Sequence, residues 1–237
     1  MEITNELKKL HLGGMADCWY ALLETRRTDS VTLQESLSLL IQAENDRRKE
    51  KRMAKLIKNA RFRYNASVEH LVFDKTRGRD KDRIMELATC EYLKAGISVL
   101  ISGSTGVGKS YLATALGYQA CLNGYKVMYY NMQKLLEAIN LARIASTISK
   151  FFDKVADIDL LIIDDFGMKK LEGQQLLDFL EIIEDRHGRR STIIASQLPI
   201  KDWYDVLAKN KTIADSIMDR IVKSSYRFNL SGDSMRK

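Results

Sequence analysis

Proline, cysteine and histidine are scarce in this sequence, and each scarcity removes a class of structure. The one proline, Pro199, lies far from the first 65 residues, which are therefore free to form long helices. The three cysteines are far apart and form no CxxC pair, which predicts reduced thiols rather than disulfides. The three histidines are equally scattered, so the sequence predicts no structural zinc site.

Long hydrophobic runs are also absent. No apolar stretch approaches the ~18 residues that a membrane-spanning helix needs. The first residues lack the basic and apolar segments of a secretory signal, so we expect a cytoplasmic protein without membrane contacts. A composition of 45% hydrophobic and 29% charged residues is typical of a globular chain.

Positive charge is concentrated in one short segment. Residues 47–63 contain nine lysines and arginines and a single acid, Glu50, whereas the whole chain has a net charge of +7. Such a segment attracts the phosphates of nucleic acid, although a solvated helix face is the alternative. The residues that we predict to contact DNA are Arg47, Arg48, Lys51, Arg52, Lys55, Lys58, Arg61 and Arg63.

The first 65 residues are predicted to form a small, all-helical N-terminal domain. Their apolar residues recur at a spacing near 3.6, which is typical of amphipathic helices. Gly13 and Gly14 separate the first two helices. Thr32 followed by Glu35 predicts a capping box at the start of a third helix, which extends to about residue 60 and carries the basic segment.

Residues 66–80 are predicted to be a linker, and residues 81–237 a second domain in which strands and helices alternate. A helix over 81–94 precedes strands near 97–101, 125–130, 159–164 and 191–196. Helices are predicted over 109–122, 132–142, 174–186, 201–207 and 212–222. Apolar strands that alternate with helices predict an α/β fold, with a parallel sheet covered by helices on both faces.

A glycine-rich loop between the first strand and the next helix carries the clearest chemical signal. Its residues are Gly103, Ser104, Thr105, Gly106, Val107, Gly108, Lys109 and Ser110, followed by Tyr111. This is a P-loop, whose backbone N–H groups bind phosphates. Lys109 is expected to reach the β- and γ-phosphates of ATP, and Ser110 to bind Mg²⁺.

Polar residues at the ends of two later strands complete the predicted site. Asp164 and Asp165 follow a buried strand; Asp164 is expected to hold Mg²⁺, and Asp165 to polarise the attacking water. Ser196 and Gln197 end the next strand, where a neutral side chain could orient water, although a turn before Pro199 explains them equally well. Arg220 and Arg236 are isolated arginines. Without further information, such arginines are expected to form ion pairs at the surface.

These motifs in this order resemble the AAA+ ATPases of the DnaC/IstB group. The strings that carry the resemblance are the P-loop, Asp164-Asp165-Phe166-Gly167, Ser196-Gln197-Leu198-Pro199 and Asp219-Arg220-Ile221. At the N-terminus, residues 10–17 and 59–62 are more similar to the IstB proteins, which are ATP-binding helpers of insertion-sequence transposition. The resemblance covers essentially the whole chain.

The resemblance implies an AAA+ ATPase domain that assembles with ATP into a homo-oligomer on duplex DNA and recruits and stimulates a transposase. It implies that Arg220 is an arginine finger offered to a neighbouring subunit and that Arg236 is a sensor-2 residue. Gln197, or Ser196, falls at the sensor-1 position. Asp165 departs from the glutamate of many AAA+ proteins and is one methylene shorter, which predicts slow, switch-like hydrolysis.

Three other functions compete with this interpretation. A DnaC-like helicase loader would have a similar ATPase but would act on a replicative helicase and single-stranded DNA. A stand-alone kinase would phosphorylate a small acceptor and ignore DNA, which the basic segment and Arg220 argue against. A structural DNA-binding protein with an inactive nucleotide site would assemble on DNA whether or not Lys109 is intact.

Overall fold

Over most of the chain, the helices and strands occur in the order that the sequence predicts. A computed structural model describes residues 2–25, 31–207 and 210–235. The chain divides into two units, Met1–Lys55 and Leu56–Lys237, and helix α3 contributes residues to both. Among the helices of the described residues, none combines the length and apolar character of a membrane span.

Eleven α-helices and five strands are present in the described residues. The helices are α1 (Glu2–Lys9), α2 (Gly13–Glu24), α3 (Leu33–Ala60), α4 (Lys81–Ala88), α5 (Glu91–Lys94), α6 (Lys109–Leu122), α7 (Met132–Ile144), α8 (Ile148–Asp157), α9 (Gln174–Arg186), α10 (Trp203–Leu207) and α11 (Lys211–Val222). The strands are β1 (Ser98–Gly103), β2 (Val127–Asn131), β3 (Leu160–Phe166), β4 (Ser191–Ser196) and β5 (Ser225–Leu230).

In the first unit, a buried carboxylate ties the start of α2 to α3. Glu44 on α3 is 5% exposed and accepts hydrogen bonds from the backbone N–H groups of Gly14, at 2.7 Å, and Met15, at 3.4 Å. Its other oxygen accepts from Arg48 Nε at 2.7 Å. A Cβ at Gly14 would lie 2.4 Å from the backbone oxygen of Ala43, so this close helix contact requires glycine.

The start of α3 has the predicted capping box. Thr32 N donates to Glu35 Oε2 at 2.8 Å, and Glu35 N donates to Thr32 Oγ1 at 3.3 Å. The two residues therefore satisfy two helix-terminal N–H groups reciprocally. Residues 29–32 also predict a turn before this helix, but residues 29 and 30 lie outside the described residues.

The second unit is built on a five-stranded sheet in the order β2-β3-β4-β1-β5, and every pairing in it is parallel. The predicted α/β fold with flanking helices is confirmed. Apolar residues fill both faces of the central strands, because helices cover each face. One hydrophobic cluster includes Val99, Ile101 and Ile162, and the other includes Leu100 and Ile163.

Residues 66–80, predicted as a linker, are packed onto the second unit. They contain two short 3₁₀ helices, Val68–His70 and Lys75–Arg77. Ala66, Val68 and Leu71 are buried in the hydrophobic core. The apolar residues of this segment are too few and too widely spaced to form a helical or strand pattern, which explains why the sequence predicted no packing. Residues 64–80 are called the strap below.

Three further elements differ from the sequence prediction. The predicted helix 81–94 is two helices, because Cys90 has a φ of 65°, which ends the helical path. Helix α8 and strand β5 were not predicted. Within the described part of the chain, β5 pairs with β1 alone, at the edge of the sheet. Its alternating polar residues lack the apolar run that marked the central strands.

Candidate functional site

The P-loop lies between the end of β1 and the start of α6. Gly106 and Gly108 have φ values of 87° and 93°, which L-residues rarely adopt. A Cβ at Gly106 would also lie 2.2 Å from Ser234 Oγ. The loop is therefore closely covered by the segment after β5, and Met235 N donates to the Gly106 carbonyl oxygen at 3.0 Å.

Lys109 is at the first position of α6, where the N–H groups of the helix favour an anion. Its side chain is 7% exposed, and its Nζ donates to the Ser104 carbonyl oxygen at 2.7 Å. The ammonium group is thus folded over the loop that the predicted phosphates would occupy. A modest rotation of this flexible side chain would exchange the carbonyl oxygen for a phosphate oxygen.

The first strand-end acid, Asp164, is fully buried and hydrogen-bonded on both oxygens. Its Oδ1 accepts from Ser110 Oγ at 3.0 Å and from Asp165 N at 2.9 Å. Its Oδ2 accepts from the Tyr129 hydroxyl at 2.5 Å. A carboxylate beside a P-loop hydroxyl is the all-oxygen donor set that Mg²⁺ prefers, so these two side chains fit the predicted metal. Burial and this carboxylate together raise the pKa of Tyr129.

The second acid, Asp165, lies at an irregular point of the sheet. It has a φ of 56°, and the register between β3 and β4 shifts between Ile163 and Phe166. Bulges of this kind redirect a side chain near a functional site. Asp165 Oδ2 accepts from Asn131 Nδ2 at 2.7 Å and lies 3.7 Å from Arg63 NH1. Burial, and next the neighbouring Asp164, raise the pKa of the Asp165 carboxyl, while Arg63 opposes the change.

The two polar residues predicted at the end of β4, Ser196 and Gln197, have different environments. Ser196 Oγ is buried, donates to the Phe166 carbonyl oxygen at 2.7 Å, and accepts from Leu198 N at 3.1 Å. Gln197 instead lines the cleft, and its Oε1 accepts from Thr105 Oγ1 at 2.8 Å. This arrangement favours Gln197 over Ser196 as the residue that faces a bound nucleotide.

A cleft of about 330 Å³ joins these groups to the strap. The P-loop, Asp165, Gln197 and the predicted Tyr111 line it. Its lining also includes residues that the sequence did not indicate, namely Tyr64, His70, Leu71, Arg79 and Met235. No motif identifies them, because they reach the cleft only through the packing of the strap and of the segment after β5.

Arg220, the predicted arginine finger, does not line this cleft. It lies on α11, where NH2 donates to Glu184 Oε1 at 2.7 Å and NH1 donates to the Ser216 carbonyl oxygen at 2.9 Å. It borders a separate cleft of about 240 Å³, beside His187 and Gly188. Arg236, the predicted sensor-2 residue, lies outside the described residues.

The basic segment follows α3 and the turn after it. Three of its arginines lie beside acids of their own unit: Arg47 pairs with Asp17, Arg48 with Glu44, and Arg63 with Asp165. The other residues predicted to contact DNA are exposed, namely Lys51, Arg52, Lys55, Lys58 and Arg61. Within the described residues these five side chains form no ion pair, whereas Arg48 and Arg63 are exposed but lie beside acids.

Comparison with known proteins places these motifs in a family. The sequence model described as "IstB-like ATP binding protein" matches residues 5–237. A protein named as an insertion sequence ATP-binding protein, from Sinorhizobium fredii, is 36% identical over 233 residues, which are 98% of this chain and 95% of that protein. The protein named as the ATP-binding protein of insertion sequence IS1162, from Pseudomonas fluorescens, is 38% identical over 82% of this chain and 85% of its own.

Solved structures show the same fold. The DnaC helicase loader has a TM-score of 0.62 and 19% sequence identity, over 71% of this chain and 98% of its own. AMPPCP-bound DnaA from Aquifex aeolicus also has a TM-score of 0.62 and 19% identity, over 73% of this chain and 52% of its own. At these identities the likeness concerns the fold.

Proposed function

Because the chain belongs to the IstB-like ATP-binding protein family and is an AAA+ ATPase, we propose that it is an ATP-dependent helper of DNA transposition. It assembles on duplex DNA in the cytoplasm and recruits and stimulates a partner transposase. One observation carries the proposal: this chain combines a P-loop site with a concentrated basic segment. It does so in a family whose members are named as insertion-sequence ATP-binding proteins. That family match favours the helper over the helicase loader.

ATP binding begins at the P-loop. The loop N–H groups and Lys109 hold the phosphates, and Lys109 leaves the Ser104 carbonyl oxygen to do so. Ser110 and Asp164 would hold Mg²⁺, which would supply positive charge beside the phosphates. The hydroxyl of Tyr129 and the N–H of Asp165 keep the Asp164 carboxylate in a fixed orientation.

Hydrolysis requires a water molecule opposite the γ-phosphate. Asp165 accepts a hydrogen bond from that water and orients it, while Gln197 contacts the γ-phosphate side of the cleft. The carboxylate is held by Asn131 and lies near Arg63, which lowers its availability to water. Together with the short aspartate side chain, this arrangement supports slow, switch-like turnover.

The position of Arg220 supports assembly. It borders a cleft that shares no lining residue with the nucleotide cleft of its own chain, which supports a role at a nucleotide held by a neighbouring subunit. An arginine supplied in this way stabilises the charge that develops on the transferred phosphoryl group. Arg236 is proposed to read the nucleotide state within the subunit.

Assembly can be measured by sedimentation with duplex DNA in ATP, ADP or no nucleotide, for the wild type and Lys109→Ala. The expected result is a multimer on duplex that requires ATP and is lost in the variant. A wild-type protein that stays monomeric with ATP and duplex would refute the assembly mechanism. Once assembly is established, capture of the transposase rather than a replicative helicase separates the helper from the loader.

The DNA surface can be tested with matched charge variants. Replacement of Lys51, Lys55 and Lys58 by Ala removes three exposed charges from the basic segment, whereas the same change at Lys169, Lys170 and Lys201 removes three exposed charges elsewhere. Each phosphate contact contributes about 0.9 to the slope of log K against log salt, so the first triple variant should lower the slope by about 3. Equal slopes for the two triple variants would place the DNA elsewhere.

A further inference from the structure

The last arginine of the basic segment lies beside the acid that we propose to orient the attacking water. Arg63 NH1 is 3.7 Å from Asp165 Oδ2. The same oxygen accepts a hydrogen bond from Asn131 Nδ2 at 2.7 Å. Asp165 lines the nucleotide cleft, whereas Arg63 and Asn131 are not among the described residues that line it. Both contacts therefore hold one oxygen of the carboxylate from outside the cleft.

The turn after α3 fixes the position of Arg63. Ala60, the last residue of α3, is fully buried in the hydrophobic core, and Phe62 packs against the same cluster. The ring of Phe62 lies so close to Gly117 of α6 that a Cβ there would be 2.9 Å from it. Between the two apolar residues, Arg61 has a φ of 55°, which turns the chain. Because Phe62 is held by the core, the next residue, Arg63, stays near the end of β3.

The ion pair between Arg63 and Asp165 is weak enough to be exchanged for a contact with another anion. At 3.7 Å the two atoms are beyond hydrogen-bond length, and 53% of the Arg63 side chain is exposed. Exposed ion pairs shift an equilibrium by about fivefold at most. A DNA phosphate, by contrast, accepts two short, charge-assisted hydrogen bonds from a guanidinium. A phosphate that reaches Arg63 should therefore displace Asp165.

Duplex DNA is the anion that the charges next to Arg63 favour. Lys58 and Arg61 lie just before Arg63 in the chain, belong to the same unit and have exposed side chains. A duplex presents one phosphate charge for about every 1.7 Å of its axis. DNA bound by Lys58 and Arg61 therefore has further phosphates to offer to Arg63.

We propose that Arg63 is a positioning residue for ATP hydrolysis and that duplex DNA releases it. Without DNA, Arg63 holds Asp165 Oδ2 outside the cleft and keeps hydrolysis slow. A backbone phosphate of bound duplex takes the guanidinium, and the carboxylate, which keeps the neutral partner Asn131, turns more readily to the attacking water. The inference rests on the proposed function, which supplies both the role of Asp165 and the DNA.

The test measures steady-state ATP hydrolysis with and without saturating duplex DNA. Arg63→Gln removes the charge, Arg63→Lys keeps it, and the control Arg189→Gln removes an exposed arginine elsewhere. Without DNA, Arg63→Gln should raise kcat by up to about fivefold and leave the KM for ATP unchanged, because the P-loop is untouched. Arg63→Lys should restore most of the restraint, since at 3.7 Å the charge rather than a hydrogen bond acts on Asp165. Arg189→Gln should have the wild-type rate.

Saturating duplex should raise the wild-type kcat by a similar factor and add little to that of Arg63→Gln. The proposal is overturned if Arg63→Gln hydrolyses ATP no faster than the wild type without DNA, or if bound duplex leaves the wild-type kcat unchanged. A rise in KM without a rise in kcat would mean that Arg63 binds the nucleotide, and it too would overturn the proposal. Fluorescence anisotropy of a labelled duplex shows separately whether DNA binds. Absence of binding would refute the proposed function, whereas the DNA-free rates test the restraint by itself.

Discussion

Removal of the Tyr129 hydroxyl tests the proposed Mg²⁺ site most directly. It donates to Asp164 Oδ2 at 2.5 Å, in a part of the sheet where Asp164 is fully buried. The other oxygen of that carboxylate has two donors, Ser110 and the Asp165 N–H. Replacement of Tyr129 by Phe keeps the ring in the core and leaves Oδ2 without its donor.

The magnitude follows from the burial of that oxygen. A buried acceptor that loses its partner costs about 1–3 kcal/mol, and the upper part of this range applies because the acceptor belongs to a carboxylate. In a chain of this size, about 2 kcal/mol corresponds to a fall of roughly 4–8 °C in the thermal midpoint. The loss should shrink when Mg²⁺-ATP is present, because the metal then supplies the charge that compensates the buried carboxylate.

Calorimetry of Tyr129→Phe with and without Mg²⁺-ATP measures both effects. Tyr130→Phe is the matched control: it removes the hydroxyl of the next residue of β2, whose side chain points to the opposite face of the sheet. The Mg²⁺ concentration required for half-maximal ATP hydrolysis should rise severalfold in Tyr129→Phe and stay unchanged in the control. A Tyr129→Phe protein with the wild-type midpoint and the wild-type Mg²⁺ requirement would refute the reasoning.

Three other substitutions have outcomes set by single structural features. Gly106→Ala should abolish binding of a fluorescent ATP analogue, because a positive φ of 87° and a Cβ 2.2 Å from Ser234 Oγ both oppose it; unchanged affinity would contradict this. Asp165→Asn should stop hydrolysis but raise the thermal midpoint at pH 7. The raised pKa means that the folded state holds a carboxyl proton more tightly, so this residue's contribution to stability falls as pH rises, and the gain should vanish in acid. Arg186→Met should lower unfolding free energy by about 3 kcal/mol or more, since buried Arg186 donates to several backbone carbonyl oxygens; exposed Arg189→Met should change it little.

The central strands and the P-loop were predictable because their signals are local. Helix Gln174–Arg186 and strand Ser191–Ser196 have the predicted bounds, since an amphipathic period and a β-branched apolar run each identify an element without reference to the rest of the chain. The order of the motifs also placed the acids and Gln197 at the carboxyl edge of the sheet, where the structure brings them to the P-loop.

The strap and the edge strand were not predictable for the opposite reason. Strand Ser225–Leu230 is polar at alternate positions, and its partner in the sheet is more than a hundred residues away. Arg79 looks in the sequence like one charge among several in a polar segment. Its burial depends on contacts with Val72 and with Met235, which is close to the other end of the chain. Such long-range contacts leave no periodic signal.

Ion pairing reduces the number of bases in the basic segment that are available to bind phosphates. Eight side chains are predicted to contact DNA, but Arg47, Arg48 and Arg63 lie beside acids, and a phosphate would have to compete with Asp17, Glu44 and Asp165 for them. Counterion release counts only contacts that form on binding, at about 0.9 per phosphate. The five predicted bases that form no ion pair within the described residues therefore give an expected slope of log K against log salt near 4.5 per subunit. A steeper measured slope would mean that DNA breaks these ion pairs, and because Arg63 faces Asp165, DNA binding would then be coupled to the residue that we propose to orient the attacking water.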